Sequence, residues 1–246
     1  MIALLNSVAA IHAAAPPTVV VAAASDFQFA LDSILVNFKK ANQGIQVKTV
    51  YGSSGKLTEQ ISNDAPFDLF FSADISYPKK LRETGFAISE PSVYGVGSIV
   101  IWCNQLDPSQ DKMNSLLHPS IHKISIADPS HAPYGQRADE CMRFYKIYDQ
   151  VKDKLVFGEN ISQAAQYITS GAADIGIIAL SLALSPAMQQ TGGKYYVIPQ
   201  ESYSKLEQAF VLLKHSQGNT AATALTDYIA SPASAAIIRH FGFREK

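Results

Sequence analysis

The sequence is poor in charged residues and has no excess of basic ones. Asp, Glu, Lys and Arg make up 17% of the 246 residues, below the proportion of about a quarter found in typical soluble domains. The formal net charge is -1, from 20 basic and 21 acidic residues, which argues against a nucleic-acid or acidic-membrane partner. No apolar run is long enough for a transmembrane helix. The length suits one large domain or two small lobes.

Cysteine is also scarce. The two thiols are Cys103, at the end of an apolar strand-like run, and Cys141, on the apolar side of a predicted helix. An exported protein could join them in a disulfide, but their apolar surroundings favour two buried free thiols. No group of residues has zinc-site spacing, and we expect no cofactor.

The first fifteen residues are small and apolar, and they end in an A-x-A-like pattern at Ala13 and Ala15. This is typical of the apolar region and cleavage site of a secretory signal, although the usual basic residues at the start are missing. The alternative is a frayed N-terminal extension. We predict export to the periplasm as a soluble protein, because no lipobox cysteine lies near the N-terminus.

The stretch Thr18–Phe38 contains the device around which we expect the chain to be organised. Three valines and three alanines predict a buried strand over Thr18–Ala24, and the apolar spacing that follows predicts a helix. Ser25 with Gln28 forms a capping-box pattern, which predicts that the helix begins at Ser25. A strand leading into a helix N-terminus directs free N–H groups and the positive end of the helix dipole at one point. That point carries a hydroxyl and no basic side chain, which favours a small anion.

The same device recurs three times. A predicted strand over Gly44–Tyr51 is followed by Gly52-Ser53-Ser54-Gly55 and a helix. The strand predicted over Ile121–Ala127 leads into the turn at residues 128–135, and the short strand Leu155–Phe157 leads into a second capping-box pattern at Asn160 and Gln163. Lys56 rules out a hydrolase nucleophile elbow at the Ser53-Ser54 turn, and the glycine loop is too short for a P-loop.

Alternation of strands and helices predicts an α/β fold with mostly parallel sheets and helices on both faces. Ligands bind such sheets beyond the carboxyl ends of the strands, and the four turns would face one another across a cleft between two lobes. We predict Val96–Trp102 and Gln208–Leu213 as the crossovers. The first lobe would comprise residues 16–99 and 207–246, and the second would comprise residues 100–206.

Taken together, these turns resemble the periplasmic molybdate-binding proteins of ABC transporters, which have the type II periplasmic binding protein fold. The resemblance runs from Thr18 to Phe243. Five segments carry it: VVVAAAS at Val19–Ser25, YGSSGKLTEQI at Tyr51–Ile61, APFDLFFSAD at Ala65–Asp74, ADPSHAPYG at Ala127–Gly135 and HFGF at His240–Phe243. It implies two lobes, each a mixed, mostly parallel sheet flanked by helices, with the ligand in the cleft between them.

The resemblance also implies the residues that bind the oxyanion. Serine hydroxyls at Ser25 and Ser54 and main-chain N–H groups at Tyr134 and Ile161 would hold molybdenum as its oxyanion, without a counter-cation. Some members of the family add a tyrosine hydroxyl, but the matching position here is Ala179.

The remaining donors are left open by this comparison. The N–H of Asp26, the hydroxyl of Ser53 and the ring of Tyr134 are candidates to complete the shell. We expect the Asp26 carboxylate to point outward, where it favours the helix dipole, because a carboxylate repels an anion.

Two further basic residues and one histidine have simpler interpretations. Lys56 and Arg137 stand near helix starts, where we expect them to be solvated. His131 with Asp128 and Ser25 would make a catalytic triad, but the turn that contains His131 matches the family's own loop.

The predicted function is that of a monomeric periplasmic receptor, not an enzyme, which captures molybdate or tungstate and delivers it to an ABC transporter permease. A cage of donors rejects protonated oxyanions, because a proton facing a donor leaves both groups unsatisfied. Phosphate is partly protonated at neutral pH, whereas sulfate must be rejected by size. Two alternatives remain: a receptor of the same fold for sulfate, phosphate or chromate, and a serine hydrolase.

Overall fold

The computed structural model describes residues 16–245 and contains two five-stranded sheets within that range. The predicted signal segment, residues 1–15, lies outside the described residues. The strands are β1 (Thr18–Ala24), β2 (Gln46–Gly52), β3 (Leu69–Ser72), β4 (Ser92–Gly97), β5 (Ile99–Cys103), β6 (Ile124–Ala127), β7 (Leu155–Gly158), β8 (Ile175–Ala179), β9 (Lys194–Val197) and β10 (Leu206–Leu212).

The helices lie mostly between successive strands. They are α1 (Gln28–Ala41), α2 (Ser54–Ser62), α3 (Ser76–Glu83), α4 (Pro108–Asp111), α5 (Pro133–Phe144), α6 (Tyr148–Val151), α7 (Ile161–Thr169), α8 (Leu180–Ala183), α9 (Pro186–Gln189), α10 (Thr220–Ile229) and α11 (Pro232–His240). Short 3-10 helices cover Ser25–Phe27, Lys112–Leu117, Lys152–Lys154, Gln200–Ser202 and Lys214–Ser216. Every helix in the described range is too short or too polar to cross a bilayer.

The first sheet has the strand order β2-β1-β3-β10-β4. β1 runs parallel to β2 and β3, whereas β10 runs antiparallel to both of its neighbours. Leu31 and Phe38 of α1 pack with Leu225 of α10 in one core cluster. Leu57 of α2 and Leu81 of α3 belong to another cluster. We call this sheet and its helices the first lobe.

The second sheet has the order β7-β6-β8-β5-β9, with β6 parallel to β7 and β8, and β5 antiparallel to both of its neighbours. This sheet and its helices form the second lobe. Its core cluster also includes Ala24, the last residue of β1, and Ala73, which follows β3 of the first lobe. The two lobes are therefore in contact where these strands end. Both sheets are mixed and mostly parallel, as the α/β prediction required.

The chain passes between the sheets at Ser98, between β4 and β5, and again between β9 and β10. The sequence had suggested one strand over Val96–Trp102, which is wrong because β4 ends at Gly97 and β5 begins at Ile99 in the other sheet. The second crossing is the segment at residues 198–205. The prediction that Gln208–Leu213 is a crossover is therefore wrong. Most of that stretch belongs to β10 of the first sheet.

The capping box predicted at Ser25 is also wrong. Residues Ser25–Phe27 form a 3-10 helix, α1 begins only at Gln28, and Ser25 makes no side-chain cap at either helix. At the second predicted cap, the Asn160 side chain accepts a hydrogen bond from the N–H of Gln163, at 3.0 Å. Both cysteines are buried free thiols in the structure, as predicted.

Candidate functional site

A small cavity of about 10 Å³ lies between the lobes, where β1 and β3 of the first lobe face the starts of α5 and α7 of the second. All six residues singled out from the sequence line it: Ser25, Asp26, Ser53, Ser54, Tyr134 and Ile161. Gly52, Ala24, Ala73, Ala132 and Pro133 complete the lining. None of these described residues is Lys, Arg or His, so hydroxyls and backbone dipoles supply whatever positive potential the cavity has. Ala179, which stands where some family members have a tyrosine, is buried but does not line the cavity.

Ser54 is the first residue of α2 and is held in place from β3. Its Oγ accepts a hydrogen bond from the N–H of Ala73, at 3.0 Å. Since a hydroxyl has one proton to donate and two lone pairs to accept with, this bond leaves the Ser54 proton available for a ligand. The residue is buried, with 1% of its surface exposed, so the available donor faces no bulk water.

Ser25 connects the two lobes. Its hydroxyl donates to Asn160 Oδ1 at 3.2 Å and accepts from the N–H of Ser162 at 3.4 Å. Its carbonyl accepts from the Ser162 hydroxyl at 3.1 Å. Asn160 also caps α7, so the position of this serine is tied to the start of a helix in the opposite lobe.

Free backbone donors face the cavity from helix starts. Ser54 and Ile161 are the first residues of α2 and α7, and Tyr134 is the second residue of α5. The first four N–H groups of an α-helix have no partner within the helix. Among the described backbone bonds outside helices and strands, none is donated by these three N–H groups. Donors and positive dipole ends from both lobes thus meet at one point, which suits an anion.

The Asp26 carboxylate points inward, so the prediction that it faces outward is wrong. Its carboxylate is buried, and Oδ2 accepts hydrogen bonds from the Tyr134 hydroxyl at 3.0 Å and from Gln208 Nε2 at 2.7 Å. Burial raises the pKa of the Asp26 carboxyl to about 6, against the lowering effect of these two hydrogen bonds and of the nearby backbone N–H groups of Asp26 and Phe27. The Tyr134 hydroxyl is therefore hydrogen-bonded to Asp26. Burial raises the pKa of this phenol well above the usual range.

The expectation for Lys56 and Arg137 was half right. Lys56 is half-exposed and pairs with Glu59 on its own helix. Arg137 is buried, because Nη2 reaches Asp74 Oδ2 in the first lobe at 2.6 Å while Nη1 bonds to Glu140 Oε1 at 2.7 Å. This ion pair joins the lobes but contributes nothing to the cavity lining.

His131 is paired with Ser53, not with Ser25. Its Nδ1 lies 2.9 Å from Ser53 Oγ, and its Nε2 lies 3.6 Å from Asp128 Oδ2. Its carbonyl accepts the N–H of Gly55 at 2.9 Å. A side chain at Gly55 would place a Cβ 2.6 Å from that carbonyl oxygen, so glycine is what allows the two lobes to approach here.

Three residues that hold the site together were missed in the sequence: Asn160 as a partner of Ser25, Gln208, and Ser181, whose hydroxyl donates to the Asp26 carbonyl at 2.7 Å. The sequence marked Asn160 only as a helix cap and did not mark Ser181, whereas Gln208 left a signal of its own. It is fully buried in β10, a strand that is otherwise mostly apolar. An amide in such a position requires a polar partner, but the sequence does not say which.

A larger cavity of about 160 Å³ lies near the same junction, lined by residues that include Phe29, Leu182 and Met188. The exposed area of its walls is mostly apolar. It is therefore a weaker candidate for binding a charged solute, although it is roomier.

Comparison with known proteins places the chain among receptors for solutes. Residues 19–244 match the model of the family described as bacterial extracellular solute-binding protein. The molybdate-binding protein ModA of Rhodobacter capsulatus is 35% identical over 232 residues, which are 94% of this chain and 89% of that protein.

Solved structures agree with that comparison. The periplasmic molybdate-binding protein of Azotobacter vinelandii superposes with a TM-score of 0.85 at 29% identity, covering 93% of this chain and 99% of the other. The sulfate-binding protein SubI of Mycobacterium tuberculosis superposes with a TM-score of 0.76 at 16% identity, covering 92% and 86%. The second likeness concerns the fold alone, and it shows that related architectures serve receptors for different oxyanions.

Proposed function

Because this chain belongs to the bacterial extracellular solute-binding protein family, we propose that it captures molybdate or tungstate in the interlobe cavity and delivers it to an ABC transporter permease. One observation carries the choice of an anion: hydroxyl and N–H donors of both lobes converge on a cavity that has no basic side chain among the described residues of its lining. The likeness to molybdate-binding proteins supports the choice of oxyanion. The protein would act as a soluble periplasmic monomer and not as an enzyme.

Binding would proceed by exchange of hydrogen-bond partners. The hydroxyls of Ser25 and Ser53 now bond to Asn160 and His131, at 3.2 and 2.9 Å. The cavity holds about 10 Å³, roughly the space for one water molecule. A tetrahedral oxyanion therefore enters when the lobes part, these hydroxyls turn towards its oxygens, and the lobes close again. The residues would bind the oxygens of the anion, and none would be a ligand of molybdenum itself.

Selectivity would follow from the hydroxyl and N–H donors of the lining. Hydrogen phosphate brings a proton that faces a donor, which leaves two polar groups unsatisfied at a cost of about 1–3 kcal/mol each. Sulfate carries no such proton, but it is smaller than molybdate and cannot reach donors of both lobes at once. We expect the order of affinity to be molybdate and tungstate first, then sulfate, then phosphate.

Calorimetric titration with molybdate, tungstate, sulfate, phosphate and chromate tests the proposal directly. The expected result is one site per chain with tight binding of molybdate and tungstate. Binding of sulfate more tightly than molybdate would reject the choice of anion while leaving the receptor function intact. Absence of binding for all five anions would reject the cavity as an oxyanion site.

A hydrolase remains the second candidate, because Ser53, His131 and Asp128 lie in a serine–histidine–carboxylate order. The His131 imidazole is not held by the carboxylate, however, since Nε2 lies 3.6 Å from Asp128 Oδ2, beyond hydrogen-bond distance. Turnover of p-nitrophenyl acetate that is lost in Ser53→Ala but kept in Ser62→Ala would support hydrolysis. Equal background rates in the unaltered protein, Ser53→Ala and Ser62→Ala would rule out hydrolysis by Ser53.

A further inference from the structure

Asp26 is the one residue with an ionisable carboxyl among the described residues that line the cavity, and its charge has the same sign as that of the proposed ligand. Only 1% of the residue is exposed. Oδ2 is hydrogen-bonded by Tyr134 and Gln208, while the buried Oδ1 has no hydrogen-bond partner within the described structure. A buried carboxylate oxygen without a partner is costly, and an anion in the adjacent cavity would increase that cost by repulsion.

Within residues 16–245, no cationic side chain contacts this carboxyl to offset the charge. Tyr134 of α5 bonds to it directly, and the amide of Gln208 in β10 links it to Tyr94 of β4, whose hydroxyl donates to Gln208 Oε1 at 2.7 Å. Burial raises the pKa of both phenols well above the usual range, so neither gains or loses charge near neutral pH. From α8, the Ser181 hydroxyl contacts only the backbone carbonyl of Asp26.

Asp26 is enclosed because the two lobes are in contact around it. Tyr134 and Ser181 belong to the second lobe, whereas Asp26 and Gln208 belong to the first. If the lobes separate, both contacts from the second lobe are lost and water reaches the carboxylate. The carboxyl is thus hydrated in an open receptor and is enclosed beside the anion in a closed one.

We propose that Asp26 takes up one proton from solvent as the lobes close over the oxyanion, so that the receptor binds the dianion together with a proton. This inference rests on the proposed function of the cavity. The proton bonds to Oδ1, the oxygen without a partner, and no other bond is made or broken. The neutral carboxyl no longer repels the anion and gains an O–H donor, which matches a lining made of donors. Burial already raises the pKa of Asp26 to about 6 before any anion is present.

Titration calorimetry in buffers of different ionisation enthalpy counts the protons taken up per bound molybdate. At about pH 7.5, we expect between roughly 0.5 and 1 proton for the unaltered protein and about zero for Asp26→Asn. Between about pH 6 and pH 8, the affinity of the unaltered protein should rise as pH falls, by up to about tenfold per pH unit. The affinity of Asp26→Asn should stay level over this range, since both molybdate and the amide keep their charge.

His131 is the titratable side chain bonded to a cavity serine from the other side, so His131→Gln is the matched control. Proton uptake that persists in Asp26→Asn, or that disappears in His131→Gln, would overturn the assignment. Tight molybdate binding by the unaltered protein without proton uptake would overturn the inference and leave the proposed function standing. No binding of any oxyanion would remove both.

A measurement on the unaltered protein covers the case in which Asp26→Asn fails to fold. Infrared difference spectra on adding molybdate should show a new protonated-carboxyl band, which shifts in deuterated water. Its absence at saturating molybdate would contradict the proposal.

Discussion

Ser54 is the residue on which the binding hypothesis can be tested most simply. Its Oγ accepts the Ala73 N–H, and its proton is free for an oxyanion. Ser54→Ala removes a donor to a charged group, which is worth about 1.5–3 kcal/mol, or a 10- to 100-fold loss of molybdate affinity. Ser62→Ala changes an exposed serine at the other end of the same helix and should leave the affinity unchanged. Equal affinities in calorimetry for both variants would remove Ser54 from the site.

The ion pair between Arg137 and Asp74 should act on closure, because its partners belong to different lobes and both side chains are largely buried. A double-mutant cycle with Arg137→Ala and Asp74→Ala should give a coupling of about 1 kcal/mol in molybdate binding. The pair Arg143–Asp139 lies within one helix, and its cycle should give no coupling in binding. Similar couplings for both pairs would mean that the interlobe pair is unrelated to closure.

At the scale of the residue, the sequence was informative where the signal was local. Ser54 could be picked out because the strand, the small polar turn and the helix follow one another within about twenty residues. Asp26 and Arg137 were misplaced because their partners lie far away in the chain: Gln208 for the first and Asp74 for the second. A carboxylate and a guanidinium look solvated until the fold supplies those partners.

Among the elements, the start of α7 has two roles that can be separated by mutation. Asn160 caps the helix and also accepts the Ser25 hydroxyl. Asn219 caps α10 with a side chain of the same type and lies outside the cavity lining. Replacing either cap by alanine should cost about 0.5–2 kcal/mol of stability, seen as a lower midpoint of thermal unfolding.

Only Asn160→Ala should also weaken molybdate binding, since it loosens the N-terminus of α7, whose first residue lines the cavity. We expect a loss of roughly three- to tenfold, corresponding to one neutral hydrogen bond. If Asn219→Ala weakened binding as much, the effect would come from general destabilisation and not from the site.

Element boundaries show where periodicity stops being informative. The run Val96–Trp102 is apolar with small interruptions, and nothing in it marks Ser98 as the place where the chain leaves one sheet for the other. Strand length and partner are decided by the sheets on either side. At Ser25, by contrast, a capping pattern was present, but the hydroxyl bonds to Asn160 across the cleft instead. A tertiary contact replaced the local one.

The molecule as a whole is held closed by contacts that cross the cleft. They include the Arg137–Asp74 pair, the Gly55 N–H to His131 carbonyl bond, and the hydrogen bond from Tyr134 to Asp26. The two-lobed α/β architecture followed from the order of strands and helices together with the resemblance. The closed arrangement of the lobes could not be predicted from the sequence. It depends on whether the groups that cross the cleft are more stable in contact with each other or in contact with water.

The last prediction concerns that balance. The chain crosses between the sheets at only two described places, Ser98 and residues 198–205, so the lobes can rotate about these two connecting segments as a hinge. Without ligand, the converging donors of the cavity have no anion to bind, and opening restores their hydration.

X-ray scattering should therefore give a larger radius of gyration for the ligand-free protein than the roughly 18 Å expected of a compact chain of this length. Saturating molybdate should reduce it by on the order of 1 Å, whereas the same concentration of phosphate should not. An unchanged radius on adding molybdate that calorimetry shows to be bound would mean that the lobes are closed before the anion arrives, and that entry occurs without a hinge.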